Sequence, residues 1–265
     1  SRCGCNDRKP YSVIPFLFLL WYEEKGKYVM IKLRRKPAEE REESQMQEKR
    51  ETQISNYEKC CAQWAEKFLT MDHRKLQELL PELKDEGEYF TICHFHRKYK
   101  ISKATGEIFR ADTGEMPSTT LQFNIYTLFA YVSPQAYVHG DWQPFANMRN
   151  ARPFAPAFQK GVIEAFAATF SGHLRELQQA AQKLGGQRLR ISDAGYELKA
   201  FDCIPIRFHF WDRDEEFNAQ ANILFDAGAV DYIHVESLVS IATQGLYSLA
   251  EEAGLPVSGR SFQTS

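Results

Sequence analysis

The chain has 265 residues, 43% hydrophobic and 26% charged, with a formal net charge of -2. This is ordinary globular composition without a basic footprint, and it argues against nucleic acid as a partner and against an anionic lipid surface. Six cysteines, Cys3, Cys5, Cys60, Cys61, Cys93 and Cys203, include no C-x-x-C pair and no disulfide-like spacing, so the chain reads as reduced and cytoplasmic.

The apolar run "YSVIPFLFLLWY", Tyr11 to Tyr22, follows Arg8 and Lys9. No small-residue cleavage site comes after it, and it falls short of the roughly 20 residues that a spanning helix needs, so no stable membrane insertion is expected. "MIKLRRKPAEEREE" from Met30 has the character of a cytosolic start, which makes residues 1–29 an N-terminal extension; a strand or helix added to the core is the other reading. Residues 30–53 are rich in charge and helix formers and read as a charged helical segment. Apolar residues become dense only from Ile54, through Tyr57, Cys61, Trp64, Ala65 and Phe68, spaced at three and four. A single domain is therefore expected over residues 54–252, with 253–265 as a flexible tail.

Asp72 is positioned to cap a short helix that ends near Pro81. "EYFTICHFHRKYKISKATGEIFRADTGEM" then alternates aromatic and β-branched residues with polar ones, and "ATGE" and "DTGE" supply turns, so an antiparallel meander is expected. On one strand His94 and His96 would face the same side, the spacing for two ligands to a shared metal, or else mark a solvent-facing edge. No third ligand stands nearby in the sequence.

"PSTTLQFNIYTLFAYV" predicts a helix buried through Leu121, Ile125, Leu128 and Phe129, with Asn124 needing a partner. The aperiodic stretch after it, "SPQAYVHGDWQPFANMRNARPFAPAF", offers His139, Asp141, Trp142, Arg149 and Arg152 as contacts on a loop held by a scaffold. Two helices follow, the second punctuated by Ser171 and by Gly185 with Gly186.

"RISDAGYELKAFDCIPIRFHFWD" predicts two strands joined near Asp202 and Cys203. In the second, Ile204, Ile206, Phe208 and Phe210 face one side, and Arg207, His209 and Trp211 the other, with Trp211 expected to be largely buried. A last helix opens near His234 or Val235 and runs through Leu238, Ile241, Ala242 and Leu249. With no glycine-rich phosphate loop and no regular βαβ alternation, the fold class is α+β: a largely antiparallel sheet with helices packed on one face, plus the charged N-terminal helical extension.

Asp212, Asp214, Glu215 and Glu216 cluster just after the second strand. A calcium loop of the EF-hand kind is excluded, because counting from Asp212 the sixth and twelfth positions hold Phe217 and Ile223. Three readings stay open: a looser divalent-cation site of Asp212, Asp214, Glu216 and Asp226; a carboxylate pair for acid and base work; and a solvated turn in which Asp214 or Glu216 accepts backbone N–H groups. Beyond that cation, no cofactor motif is evident. A working site requires the acidic residues to converge with Arg207, His209 or Asp226.

"WDRDEEFNAQANILFDAGAVDYIHVESLVSIA", with "GDWQPF", "FAPAF" and "KLGG", resembles a family of bacterial and archaeal proteins numbered 3786 among the domains of unknown function, over roughly Glu88 to Ala250. In the family pattern a glycine commonly separates the tryptophan from the acidic run, where this chain has Arg213. Some relatives resemble fusions with a cysteine-rich iron-sulfur module. The resemblance thus implies anaerobic redox or corrinoid-linked metabolism, with an iron-sulfur or corrinoid protein as partner, because the four-cysteine set is missing here. Two functions follow. One is a non-catalytic accessory or small-ligand-binding protein using Trp142, Arg207, His209, Trp211, Asp214, Glu216 and Asp226; the other is a metal-assisted hydrolase or lyase using the acidic loop 212–216.

Overall fold

The computed structural model describes residues 19–24, 27–32 and 58–258. The chain divides into two units, residues 1–52 and 53–265. In the first, β1 (Leu19–Glu24) and β2 (Lys27–Lys32) pair antiparallel, with Leu19 opposite Lys32 and Glu24 opposite Lys27. The end of the early apolar run is therefore strand. The rest of the expected extension, most of the charged helical segment and the last seven residues of the tail lie outside the described residues.

The second unit is α+β. Helix α1 (residues 58–69) buries Cys61, Trp64, Ala65 and Phe68, the face its three-and-four spacing marks out. Asp72 caps α2 (His73–Leu79) by accepting from Lys75 N at 3.1 Å. The meander follows as β3 (Lys84–Glu86), β4 (Tyr89–His94), β5 (Arg97–Ser102) and β6 (Ile108–Arg110), a four-stranded antiparallel sheet in sequence order.

The two histidines do not share a strand face. His94 ends β4 and pairs with Arg97, so Phe95 and His96 form the hairpin turn, with φ of 44° and 64°. Such positive φ values at both central positions are what a tight two-residue hairpin requires. His94 is buried and donates from Nδ1 to Ala200 O at 2.7 Å, whereas His96 is exposed.

Ser118 caps α3 (Thr119–Tyr131), whose Leu121, Ile125, Leu128 and Phe129 are buried. Asn124 finds its partner in Ser240, whose hydroxyl donates to Oδ1 at 2.8 Å. After β7 (Trp142–Pro144) and a 3-10 turn at Phe145–Asn147, one helical rod comprises α4 (Ala155–Phe158), a π-helical turn at Gln159–Ile163 and α5 (Glu164–Phe170). Ser171 closes α5; α6 (Leu174–Lys183) starts after His173, with no side-chain cap.

The larger sheet has five antiparallel strands in the order β7-β11-β10-β9-β8, the last four being β8 (Gln187–Leu189), β9 (Ala194–Phe201), β10 (Ile204–Trp211) and β11 (Gln220–Asp226). One face is covered by helices: Phe208 meets Phe166 at 5.6 Å between centroids, and Phe225 meets Phe158 at 5.9 Å. After the short α7 (Ala229–Tyr232), α8 (Val235–Ala253) runs over both sheets. A Cβ at its Gly245 would lie 2.7 Å from the Phe208 ring and 2.8 Å from the Phe95 ring, so the missing side chain lets α8 touch both. Among the described residues no helix is long and apolar enough to cross a membrane.

Pro205 has no N–H for the ladder, and the β9–β10 pairing slips beside it. Ile204 pairs with Phe201 but Pro205 with Lys199, leaving Ala200 as a bulge. Its carbonyl is not wasted, since it accepts from Phe95 N at 3.2 Å and His94 Nδ1 at 2.7 Å. That pair of bonds fastens the meander to the larger sheet.

Candidate functional site

Strand alternation sends Ile206, Phe208 and Phe210 under the helices and Arg207, His209 and Trp211 to the opposite, open face. The slipped register places Glu197 opposite Arg207 and Gly195 opposite His209, while β11 brings Leu224 and Asn222 to the same two positions. Arg207 Nε donates to Glu197 Oε2 at 2.9 Å, and its guanidinium carbon lies 3.8 Å from the centroid of the Trp142 ring. An ion pair and a cation–π stack thus fix one guanidinium from two sides. Among the described residues its Nη groups have no hydrogen-bond partner, which leaves a planar donor pair uncommitted.

His209 is only 5% exposed, and its Nε2 is buried without a partner among the described residues. Burial, and secondarily the charge of Arg207, lowers its pKa and so favours the neutral imidazole. Its ring stands edge-on to Trp211 at 6.2 Å. Gly195 opposite it leaves room that Ile191 fills, since a Cβ there would lie 3.1 Å from Ile191 Cγ2. Trp211 itself is 39% exposed, contrary to expectation, because the helix-covered face ends at Phe210 and Trp211 is the last residue of its strand on the other face.

The acidic residues do not join this arrangement. Asp212 Oδ1 accepts from Gly172 N at 2.7 Å and from Arg213 N at 2.8 Å. Asp214 Oδ1 accepts from Glu216 N at 2.8 Å and Phe217 N at 2.7 Å, and these two bonds hold its carboxyl below the usual range. Glu215 and Glu216 are exposed. Asp226 lies at the far end of β11, six residues beyond Gln220 and so about 20 Å along the strand. There it is buried and accepts from His139 N at 2.9 Å, Gly140 N at 2.6 Å and Gly228 N at 2.9 Å. The cation set of Asp212, Asp214, Glu216 and Asp226 is therefore not assembled: three of its four carboxylates are committed to backbone N–H groups and one is at the wrong end. Among the described residues no three His, Cys, Asp or Glu side chains are grouped to hold a metal ion. Arg213 has no positive φ, so the turn makes no demand for glycine.

Of the loop candidates, Arg149 is paired with Asp231 at 2.6 Å and His139 packs on Tyr137 at 4.2 Å between centroids. Arg152 lines an open depression of about 580 Å³ with Ala146, Asn147, Met148, Asn150 and Pro153. Sequence reasoning missed Glu197, whose position opposite Arg207 depends on the bulge; Pro205 within a strand pattern was the available signal. It also missed Glu82, which lies beside Cys203 and whose Oε1 is buried without a hydrogen-bond partner among the described residues. Burial pushes the Glu82 carboxyl up to about 7, and burial with the neighbouring Glu82 pushes the Cys203 thiol up.

The family model described as a domain of unknown function (DUF3786) matches residues 76–246, a span that runs from α2 into α8 and includes every strand of the open face. The chain belongs to this family. No curated protein and no solved structure matches it.

Proposed function

We propose that this protein is a non-catalytic accessory protein that binds a small ligand on the open face of the larger sheet, over Trp142, Arg207 and His209. The observation that carries this reading is the Arg207 guanidinium, stacked on Trp142 and tied to Glu197 through Nε, with its Nη donors uncommitted among the described residues. Glu197 balances its charge, and the neutral form of His209 is favoured, so the face suits a flat ligand recognised by hydrogen bonds and stacking rather than by net charge. Asp212 and Asp214 are taken up by backbone N–H groups, so a metal-assisted hydrolase or lyase at loop 212–216 has no observation in its favour.

The setting we propose is the cytoplasm of an anaerobic bacterium, with an iron-sulfur or corrinoid protein as the partner. Free thiols at Cys60, Cys61, Cys93 and Cys203 support a reducing compartment, and the family resemblance supports the redox setting. A fragment library of flat heteroaromatic compounds, screened by NMR on the Trp142 indole and His209 imidazole signals, tests the ligand reading. Hits should shift both signals and weaken in Arg207→Ala; a screen whose hits all map elsewhere would sink it. Co-purification from an anaerobic lysate, with iron and cobalt analysis of the bound fraction, tests the partner.

A further inference from the structure

At one end of the larger sheet, three large apolar side chains stand in solvent: Ile191 at 48% exposure, Trp211 at 39% and Phe217 at 62%. They share that end because β9 begins where β10 finishes, with Ala194 opposite Phe210, so the β8–β9 and β10–β11 connections lie side by side. The two connections are also tied together. Asp212 N donates to Asp193 Oδ2 at 2.8 Å, and Asp212 Oδ1 reaches across to Gly172 N at 2.7 Å. Asp214 N donates to Phe217 O at 3.0 Å, closing the turn from which Phe217 projects.

A free surface gains nothing from holding a tryptophan, a phenylalanine and an isoleucine outward on a braced frame, whereas a binding surface gains pre-organised anchors. The surrounding charge narrows the occupant. Residues 190–193 and 212–219 carry five carboxylates, Asp193, Asp212, Asp214, Glu215 and Glu216, against Arg190, Arg213 and the Arg188 guanidinium, which reaches the Asp193 carbonyl at 2.7 Å. Arg213 lies over Gly172, where a Cβ would be 3.1 Å from its Nη2. Among the described residues none of the five carboxylates forms an ion pair. A second copy of the chain would bring this acidic rim against itself, and anionic lipid would be repelled in the same way.

We propose that Ile191, Trp211 and Phe217, rimmed by Asp214, Glu215 and Glu216, form a docking surface for a cationic, apolar segment of a partner protein, such as one face of a basic amphipathic helix. The apolar side chains supply the burial and the rim selects the sign of the partner. The surface does not depend on Arg207 or Trp142, so it stands whether or not a small ligand binds there.

The test uses the full chain and two fluorescent 18-residue peptides, a Lys/Leu amphipathic helix and the Glu/Leu peptide of the same pattern, read by anisotropy at low and high salt. The Lys/Leu peptide should bind and the Glu/Leu peptide should not. Phe217→Ser and Trp211→Ser should each weaken binding about tenfold or more, as truncating an interface anchor does. The Glu215→Gln/Glu216→Gln pair should weaken it less and flatten its salt dependence. Circular dichroism checks that each variant is folded; Phe217 lies in an exposed loop, where substitution leaves the core intact. The proposal is overturned if the Lys/Leu peptide does not bind, or binds the Phe217 and Trp211 variants as tightly as wild type. It is also overturned if sedimentation shows self-association that Phe217→Ser abolishes, since the surface would then serve a second copy.

Discussion

The guanidinium of Arg207 lies 3.8 Å from the centre of the Trp142 ring, and these residues come from strands that are not adjacent: β10 and β7 flank β11. The stack therefore spans the strand between them and reports on how the sheet edge is seated. In a double-mutant cycle with Arg207→Met and Trp142→Leu, followed by urea unfolding, the coupling should be about 0.5–1 kcal/mol, the range for a partly exposed cation–π pair. A coupling indistinguishable from zero would mean that the two side chains only happen to be neighbours.

Glu82 and His94 set up opposing pH dependences. The Glu82 carboxyl is pushed from 4.5 up to about 7, chiefly by burial, so its contribution is full below pH 4.5 and is lost as pH rises through about 7. His94 is pushed from 6.5 down to about 4, also chiefly by burial, so its contribution is full above pH 6.5 and is lost as pH falls through about 4. Between those limits the two offset each other in the wild type. Glu82→Gln should remove the first and expose the second. Its stability relative to wild type should rise with pH by on the order of 3 kcal/mol between pH 4.5 and 7, and its own stability should fall on acidification below pH 6.5. Urea midpoints measured across that range settle it; a constant difference between the two proteins would show that Glu82 titrates normally.

Asp214 works in the other direction from Glu82. Bonds from the Phe217 and Glu216 N–H groups lower its pKa, so its contribution is present above the unfolded carboxylate range and is lost as pH falls through its depressed value. Thermal unfolding from pH 7 to pH 3 should therefore show less acid loss in Asp214→Asn than in wild type. A variant more stable than wild type at pH 7 would point instead to a strained carboxylate.

Asp226→Ala removes the acceptor for three backbone N–H groups at once, on His139, Gly140 and Gly228. A loss of about 1–3 kcal/mol is expected, because the buried Gly228 donor carries its desolvation cost while the amides of exposed His139 and Gly140 can turn to water. Amide exchange at those three residues should quicken well beyond that of the β11 ladder amides. Unchanged exchange would show that water replaces the carboxylate without penalty.

The alternation in "IPIRFHFW" makes both faces of β10 readable, and the capping Asp72 and the turns of the meander are equally local signals. What failed was non-local or depended on a single dihedral. His94 and His96 look paired only until Phe95 and His96 take positive φ and end the strand between them. Trp211 looks like core by its type, yet it ends β10 on the face opposite the helices, where it stays part-exposed. The partner of Arg207 is the sharper case. A regular hairpin turning at Asp202 and Cys203 would set Leu198 opposite it, and the bulge at Ala200 substitutes Glu197. The acidic cluster was visible as a cluster, but which backbone N–H groups would claim it depends on Gly172 and on the turn geometry.

Asp226 has a kinetic consequence for the open face. It sits opposite Trp142 in the ladder while its carboxylate grips the amides of His139 and Gly140, just upstream. The edge strand is thereby seated from both sides before any ligand arrives, and Arg207 already lies against the indole. On the ligand-binding reading proposed above, association with this face would involve no loop closure or strand docking, so observed binding rates should rise linearly with ligand concentration and show no plateau. Differences in affinity among ligands would then reside in how slowly each one leaves.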